Sequence, residues 1–284
     1  MTEKGYAVLQ SILPDYKKNI EIVIGSQDTQ IQKDFYSEIK CLCQYHSIEF
    51  IDKKEFISIN TKYALAISWR WIINTDNKFL IVFHDSLIPR YRGFNPLVSA
   101  LINGEQKIGV TALLATSEYD KGDIITQYET AIEYPIKIQE AINKIIKNYQ
   151  DTSLYVMEKI ANDDYFIGIP QDENKATYSL WRDDEDYRIN WNHSSIELKR
   201  FIDAVSYPYK GASTKLNGNL VRILEAEMVQ DVVIENRTSG KVIFVQNDHP
   251  IVVCGKGLLK IIEMIDDQTR TSLIPIKNFR IRFL

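Results

Sequence analysis

Apolar residues along this chain fall into short runs whose spacing switches between the two-residue period of a strand and the three-to-four-residue period of a helix. Near the start, residues 6–13 predict a short helix closed by Pro14, and residues 20–24, rich in β-branched side chains, predict a strand ended by Gly25 and Ser26. Asp28 and Thr29 offer caps for a helix whose apolar face runs Ile31, Phe35, Ile39 and Leu42. Strands are expected at 48–51, 63–68 and 79–83. Gly93 and Pro96 then lead into a helix at 97–102 that Asn103 and Gly104 terminate. A strand at 109–115 and an extended segment at 124–133 follow, and after Pro135 a long helix carries Ile138, Ile142, Ile145 and Tyr149 on one side. Strands alternating with helix-period segments indicate an α/β domain with a largely parallel sheet.

The pattern changes at residues 170–188, which are polar and acidic and read as a solvated linker. A capped helix is expected at 195–205. Beyond Gly211, β-rich runs at 220–226, 241–245, 251–254 and 258–264 alternate with Asn, Gly and Asp turns, the spacing of a small barrel of roughly 70 to 80 residues. The expected organisation is therefore a catalytic α/β domain over 1–170, a linker and helix over 171–206, and a β-barrel over 207–284.

Composition narrows the classes. The 284 residues are 45% hydrophobic and 25% charged, ordinary for a globular protein with a sizeable core. No run approaches the roughly 18 apolar residues of a membrane span, and the opening Met1-Thr2-Glu3-Lys4-Gly5 has no apolar signal region, so export is not expected. Three cysteines without a CxxC pair fit a reducing cytoplasm and predict no metal site. A net charge of -4 argues against a chain whose main task is gripping nucleic-acid phosphates, although a local basic groove stays open.

The candidate chemistry sits at the end of the 79–83 run. His84-Asp85-Ser86-Leu87-Ile88-Pro89-Arg90-Tyr91-Arg92-Gly93 is followed, thirty-six residues after its histidine, by Asp120-Lys121-Gly122-Asp123. In a parallel sheet the crevice at the carboxyl ends of the strands gathers such residues. Taken singly, a lone histidine in an apolar stretch is a core residue and an aspartate in a D-x-G-D turn is a turn former. Taken together they suit acyl transfer to an amine. That reaction needs a donor for the oxyanion of a tetrahedral intermediate, and a group to take the proton of the new ammonium.

These segments, with Pro96, Asn103-Gly104-Glu105 and Gly109-Val110-Thr111, resemble the signature of the 10-formyltetrahydrofolate-dependent formyltransferases. Ala176-Thr177-Tyr178, Ile189-Asn190-Trp191 and Pro208-Tyr209-Lys210-Gly211-Ala212 resemble that family's linker and the start of its C-terminal barrel. The resemblance implies a Rossmann-like domain, a small OB-like barrel, catalytic roles for His84 and Asp120, and 10-formyltetrahydrofolate as co-substrate without a metal. It implies folate contacts at Ser68, Trp69 and Arg70, and at Ser117 and Tyr119. It also implies substrate contacts at Ser86, Arg90, Arg92 and Asn95. The two arginines would pair with a folate glutamate or a substrate phosphate, or else form surface ion pairs.

Two departures accompany it. The family pairs its histidine with an asparagine two residues earlier, and here that position is Val82. A backbone N–H near Asp85, Ser86 or Asn95 is the candidate replacement donor. The family also opens with a strand before its first helix. Here the helix comes first, so either the natural start lies upstream of Met1 or the sheet is rearranged. Three functions remain in view. The first is an N-formyltransferase for a nucleotide-linked amino sugar, with folate and the sugar nucleotide as partners and a homodimer as one oligomeric option. The second is a methionyl-tRNA formyltransferase, which predicts a basic strip begun by Lys199, Arg200, Lys210 and Lys215. The third is a catalytically impaired homologue that only binds folate or the sugar nucleotide.

Overall fold

A computed structural model describes residues 1–27, 33–55, 61–69, 73, 79–276 and 278–284. The chain forms two compact units. The first comprises Met1–Leu97, Lys107–Ala131 and Ala141–Leu180, and the second comprises Val98–Gln106, Ile132–Glu140 and Trp181–Leu284.

In the first unit, helix α1 (Glu3–Tyr16) starts earlier than the apolar spacing predicts, because Thr2 caps it by accepting a hydrogen bond from the Gly5 N–H. Pro14 lies in its last turn rather than beyond it. Strand β1 (Ile22–Gly25), helix α2 (Tyr36–Tyr45) and strand β2 (Glu49–Asp52) follow, with β1 and β2 parallel. The cap expected at Asp28 and Thr29, and Ile31 of the apolar face, lie outside the described residues. Within them, the Asp34 carboxylate accepts from the Tyr36 N–H at the start of α2.

A four-stranded sheet holds the candidate residues. Its order is β3 (Tyr63–Ile67), β4 (Phe79–His84), β6 (Lys107–Leu114) and β7 (Ile124–Ala131), with the two-residue β5 (Arg92–Gly93) and helix α3 (Pro96–Asn103) between β4 and β6. β3 and β4 are parallel, whereas β6 runs antiparallel to β4 and β7 antiparallel to β6. The sheet is therefore mixed. The assumption that His84 and Asp120 both follow carboxyl ends of parallel strands is corrected: the chain re-enters the sheet at the end where β4 finishes. It does so because the loop after His84 is tied to that end. Thr111, the register partner of His84, donates to the Ser86 carbonyl at 2.6 Å and accepts from the Ile88 N–H at 3.2 Å. Helix α4 (Ile138–Ala161) carries the predicted stripe Ile138, Ile142, Ile145 and Tyr149, all buried, and Tyr149 stacks on Phe83 of β4. Strand β8 (Tyr178–Ser179) runs parallel to β5.

In the second unit, helix α5 (Ser195–Ala204) opens with a capping box of Ser194 and Glu197 and packs on a five-stranded antiparallel sheet. That sheet is built from β9 (Ala212–Leu216), β10 (Asn219–Val229), β11 (Val242–Gln246), β12 (His249–Val253) and β13 (Leu258–Asp266), in the order β11-β12-β13-β10-β9. It is consistent with the small barrel-like domain expected. Among the described residues, no helix is long and apolar enough to cross a membrane.

Candidate active site

His84 ends β4 and is buried, with 7% of the residue exposed. Its Nε2 lies 2.8 Å from the Tyr91 carbonyl oxygen, and a carbonyl only accepts, so Nε2 carries a proton. Nδ1 is thereby left facing Asp120, whose Oδ2 is 3.5 Å away. The same Oδ2 accepts from the Gly93 N–H at 2.8 Å. Gly93 has a φ of 98°, and a side chain there would meet the Ser179 carbonyl at 2.6 Å, so only glycine allows this approach.

Asp120 reaches His84 from the loop between β6 and β7. The loop turns back on the end of β6 so closely that a Cβ at Gly122 would sit 1.5 Å from the Leu114 carbonyl. Gln171 Nε2 donates to the carbonyls of Asp120 and Gly122 at 2.8 and 2.6 Å. Ser68, Tyr91, Asn95 and Asp120 all adopt positive φ, at 49°, 61°, 49° and 53°. For residues with a Cβ this conformation costs energy, and such strain concentrates at functional sites.

The loop from Asp85 to Asn95 is held from two further sides. Gln127 donates to the Ile88 carbonyl and to Thr111 Oγ1, at 2.7 and 2.8 Å. Thr177 accepts from the Tyr91 N–H through Oγ1, and its own N–H and carbonyl bond Pro89 and Arg92. Asp85, next to His84, bonds both the Lys4 ammonium of α1 and the Tyr149 hydroxyl of α4. Burial, the largest single influence, pushes the Asp85 carboxyl up. The Lys4 ammonium, the two hydrogen bonds and His84 together outweigh it and hold the carboxyl below its ordinary range. Burial, and then the Asp85 charge, push the Tyr149 hydroxyl well up.

The structure brings together some of the residues singled out from sequence and not others. His84 and Asp120 meet. Ser86 is buried and donates to the Arg90 carbonyl at 2.7 Å. The exposed Arg90 guanidinium lies over the Tyr91 ring. Arg92 is fully buried and committed to Gln171, Glu173 and Tyr178 rather than to solvent. Asn95 is half-buried just before α3, and Ser68 and Trp69 are half-buried just after β3. Arg70 lies outside the described residues. Ser117 and Tyr119 are exposed, and the Tyr119 ring is 6.4 Å from that of Phe94. Val82 is half-buried and, two residues before His84, shares its strand face. Among the described residues, no cluster of three or more His, Cys, Asp or Glu could hold a metal ion.

Sequence reasoning missed Gln171, Lys4 and the Tyr91 carbonyl. Gln171 sits in the polar run read as linker, where its one signal is an uncharged amide between Pro170 and Asp172. A backbone carbonyl has no sequence signal at all.

Comparison with known proteins bears on the family and the fold. The profile described as formyl transferase matches residues 51–156, and the profile described as formyl transferase, C-terminal domain, matches residues 182–274. A methionyl-tRNA formyltransferase of Streptococcus sanguinis is 31% identical over 183 residues, 64% of this chain and 57% of the relative. The chain thus spans little more than half the length of that relative. A methionyl-tRNA formyltransferase of Borrelia duttonii is 29% identical over 215 residues, 73% of this chain and 68% of that protein. The crystal structure of an N-formyltransferase from Helicobacter canadensis, in complex with folinic acid and dTDP-3-aminofucose, superposes with a TM-score of 0.67. It covers 91% of this chain and 95% of that one at 17% identity, a likeness of fold.

Proposed function

The chain belongs to the formyl transferase family, and from that premise we propose that it moves a formyl group from 10-formyltetrahydrofolate to the amino group of a nucleotide-linked amino sugar. The observation that carries the reading is the pair itself: His84 Nδ1 faces Asp120 Oδ2 at 3.5 Å while Nε2 is committed to the Tyr91 carbonyl. In the transfer, the amine nitrogen bonds the formyl carbon and the bond from that carbon to N10 of the folate breaks. The ammonium formed by attack must lose a proton, and the departing N10 must gain one. In this reading the His84–Asp120 pair handles that exchange, with the Tyr91 carbonyl fixing the ring and the Asp120 carboxylate accepting from Nδ1 whenever that nitrogen carries a proton. The folate is a substrate consumed in each turnover, and no metal is needed for the step. In this reading the half-buried Ser68 and Trp69 and the exposed Ser117 and Tyr119 line the folate side, while Ser86, Arg90 and Asn95 face the acceptor side.

The choice of acceptor rests on charge. Three of the four residues that would begin a basic strip for tRNA are already engaged. Lys199 bonds Asp203 at 2.6 Å, Lys210 bonds Asp184 at 3.0 Å, and Arg200 donates to the Ile102 carbonyl at 3.1 Å. Lys215 alone of the four is not drawn into such a bond by its side chain among those described. The curated relatives favour a second reading, formylation of methionyl-tRNA. Incubation with 10-formyltetrahydrofolate and either a panel of amino-sugar nucleotides or charged initiator tRNA, followed by release of tetrahydrofolate, separates the two. Release with a sugar nucleotide is expected. Release with tRNA alone would replace this reading with the second, and release with neither would leave a binding protein.

A further inference from the structure

Arg92 and Gln171 form a closed assembly behind the His84–Asp120 pair. The guanidinium has five N–H groups, and each has a partner. Nε and one Nη2 proton go to Gln171 Oε1 at 3.0 and 2.7 Å. The other Nη2 proton and one Nη1 proton go to the two Glu173 oxygens at 2.7 and 3.0 Å, and the last Nη1 proton goes to the Tyr178 hydroxyl at 3.3 Å. Because arginine only donates, it fixes the orientation of the Gln171 amide, oxygen toward Arg92 and nitrogen away. Both protons of that nitrogen are then placed on the carbonyls of Asp120 and Gly122. Those carbonyls belong to the turn in which Asp120 holds its strained φ of 53°.

The neighbours of Arg92 touch the same pair through backbone. Tyr91 accepts from His84 through its carbonyl, and Gly93 donates to Asp120 through its N–H. Three consecutive residues thus set the imidazole, the carboxylate and, through one amide, the main chain that carries the carboxylate. We propose that Gln171, oriented by Arg92, is a positioning residue that holds Asp120 in register with His84. The proposal rests on the reading of His84 and Asp120 as the reacting pair. It implies that Arg92 serves the site from behind rather than by meeting a substrate phosphate.

The test uses the full chain. Gln171→Glu keeps size and the bond to Arg92 but turns two donors into acceptors against two carbonyls. Gln171→Ala removes the clamp without adding charge. A displacement of about 1 Å at a reacting group costs on the order of 100-fold in rate, so kcat is expected to fall roughly 10- to 100-fold in both variants while KM for folate and amine moves less than about twofold. A second readout needs no turnover. In ring-15N-labelled protein, Asp120→Asn defines the His84 Nδ1 resonance without its carboxylate partner. Both Gln171 variants are expected to move His84 toward that position, leaving His46, His193 and His249 in place. If either Gln171 variant, folded by its thermal melt, keeps the wild-type His84 resonance, the proposal is overturned. Should no amine be accepted by the wild type while the resonance still moves, the positioning role stands and the acyl-transfer reading falls.

Discussion

The Tyr91 carbonyl decides which nitrogen of His84 faces Asp120, and the Gly93 N–H holds the Asp120 oxygen that faces the ring. Asp120→Asn keeps the shape and removes the charge, so turnover is expected to fall by about 100-fold or more with an unchanged thermal melt, measured as tetrahydrofolate release beside a melting curve. Val82→Asn places an amide on the strand face of His84. A missing oxyanion donor accounts for roughly 100- to 1000-fold in rate, so a rise in kcat is expected, and an unchanged kcat means that a backbone donor already serves. The pair itself was legible from sequence because its loop is dense in Gly, Pro and Arg and its spacing is distinctive. Its supports were not. Gln171 lies 51 residues from Asp120 and Lys4 lies 81 from Asp85, and no local pattern joins residues so far apart.

At the scale of elements, Asp85 ties α1 and α4 to the end of β4 through Lys4 and Tyr149. Removing one member of a buried ion pair leaves the other charge stranded, so Asp85→Ala is expected to cost about 3 kcal/mol in urea unfolding at neutral pH. The pH dependence has a definite sign. The carboxyl ionises more readily in the folded chain than at its ordinary value of 3.8, so its contribution is complete above that value and is lost as pH falls through the lower folded value. The difference between wild type and Asp85→Ala should therefore hold from pH 7 to about pH 5 and shrink below pH 3.8. A difference that stays constant down to pH 3 would mean that the charge contributes nothing. Strand and helix positions were largely legible, since burial imposes the periods that the sequence shows. Strand direction was not, because an apolar period is the same whichever way a neighbour runs. The reversal of β6 depends on Thr111 and Gln127 tying the loop after His84 to the sheet's end, which no periodicity records. The early start of α1 depends on Thr2, a cap outside the apolar pattern.

Across the whole molecule, a net charge of -4 and the engagement of Lys199, Arg200 and Lys210 within their own unit set an expectation for the acceptor. A sugar nucleotide brings two phosphates, whereas a tRNA bound through 6 to 10 phosphate contacts loses about 10³- to 10⁵-fold in affinity between 50 and 200 mM salt. Here kcat/KM for the acceptor is expected to change less than about tenfold over that range, and a steeper fall would point to a nucleic acid. The shift from helix-period segments to closely spaced strands and turns suggests a boundary near 170–188, whereas the second compact unit also takes in Val98–Gln106 and Ile132–Glu140, which no composition shift marks. The identity of the acceptor was not, since it is set by a few side chains around a shared reaction.

The most direct measurement places wild type and Asp120→Asn side by side, each with 10-formyltetrahydrofolate and a panel of amino-sugar nucleotides, and follows tetrahydrofolate release. Release by wild type that depends on an amino sugar and disappears in the variant is the predicted result. Equal release by both proteins would contradict the assignment of Asp120, and with it the claim that the carboxylate facing His84 carries the transfer.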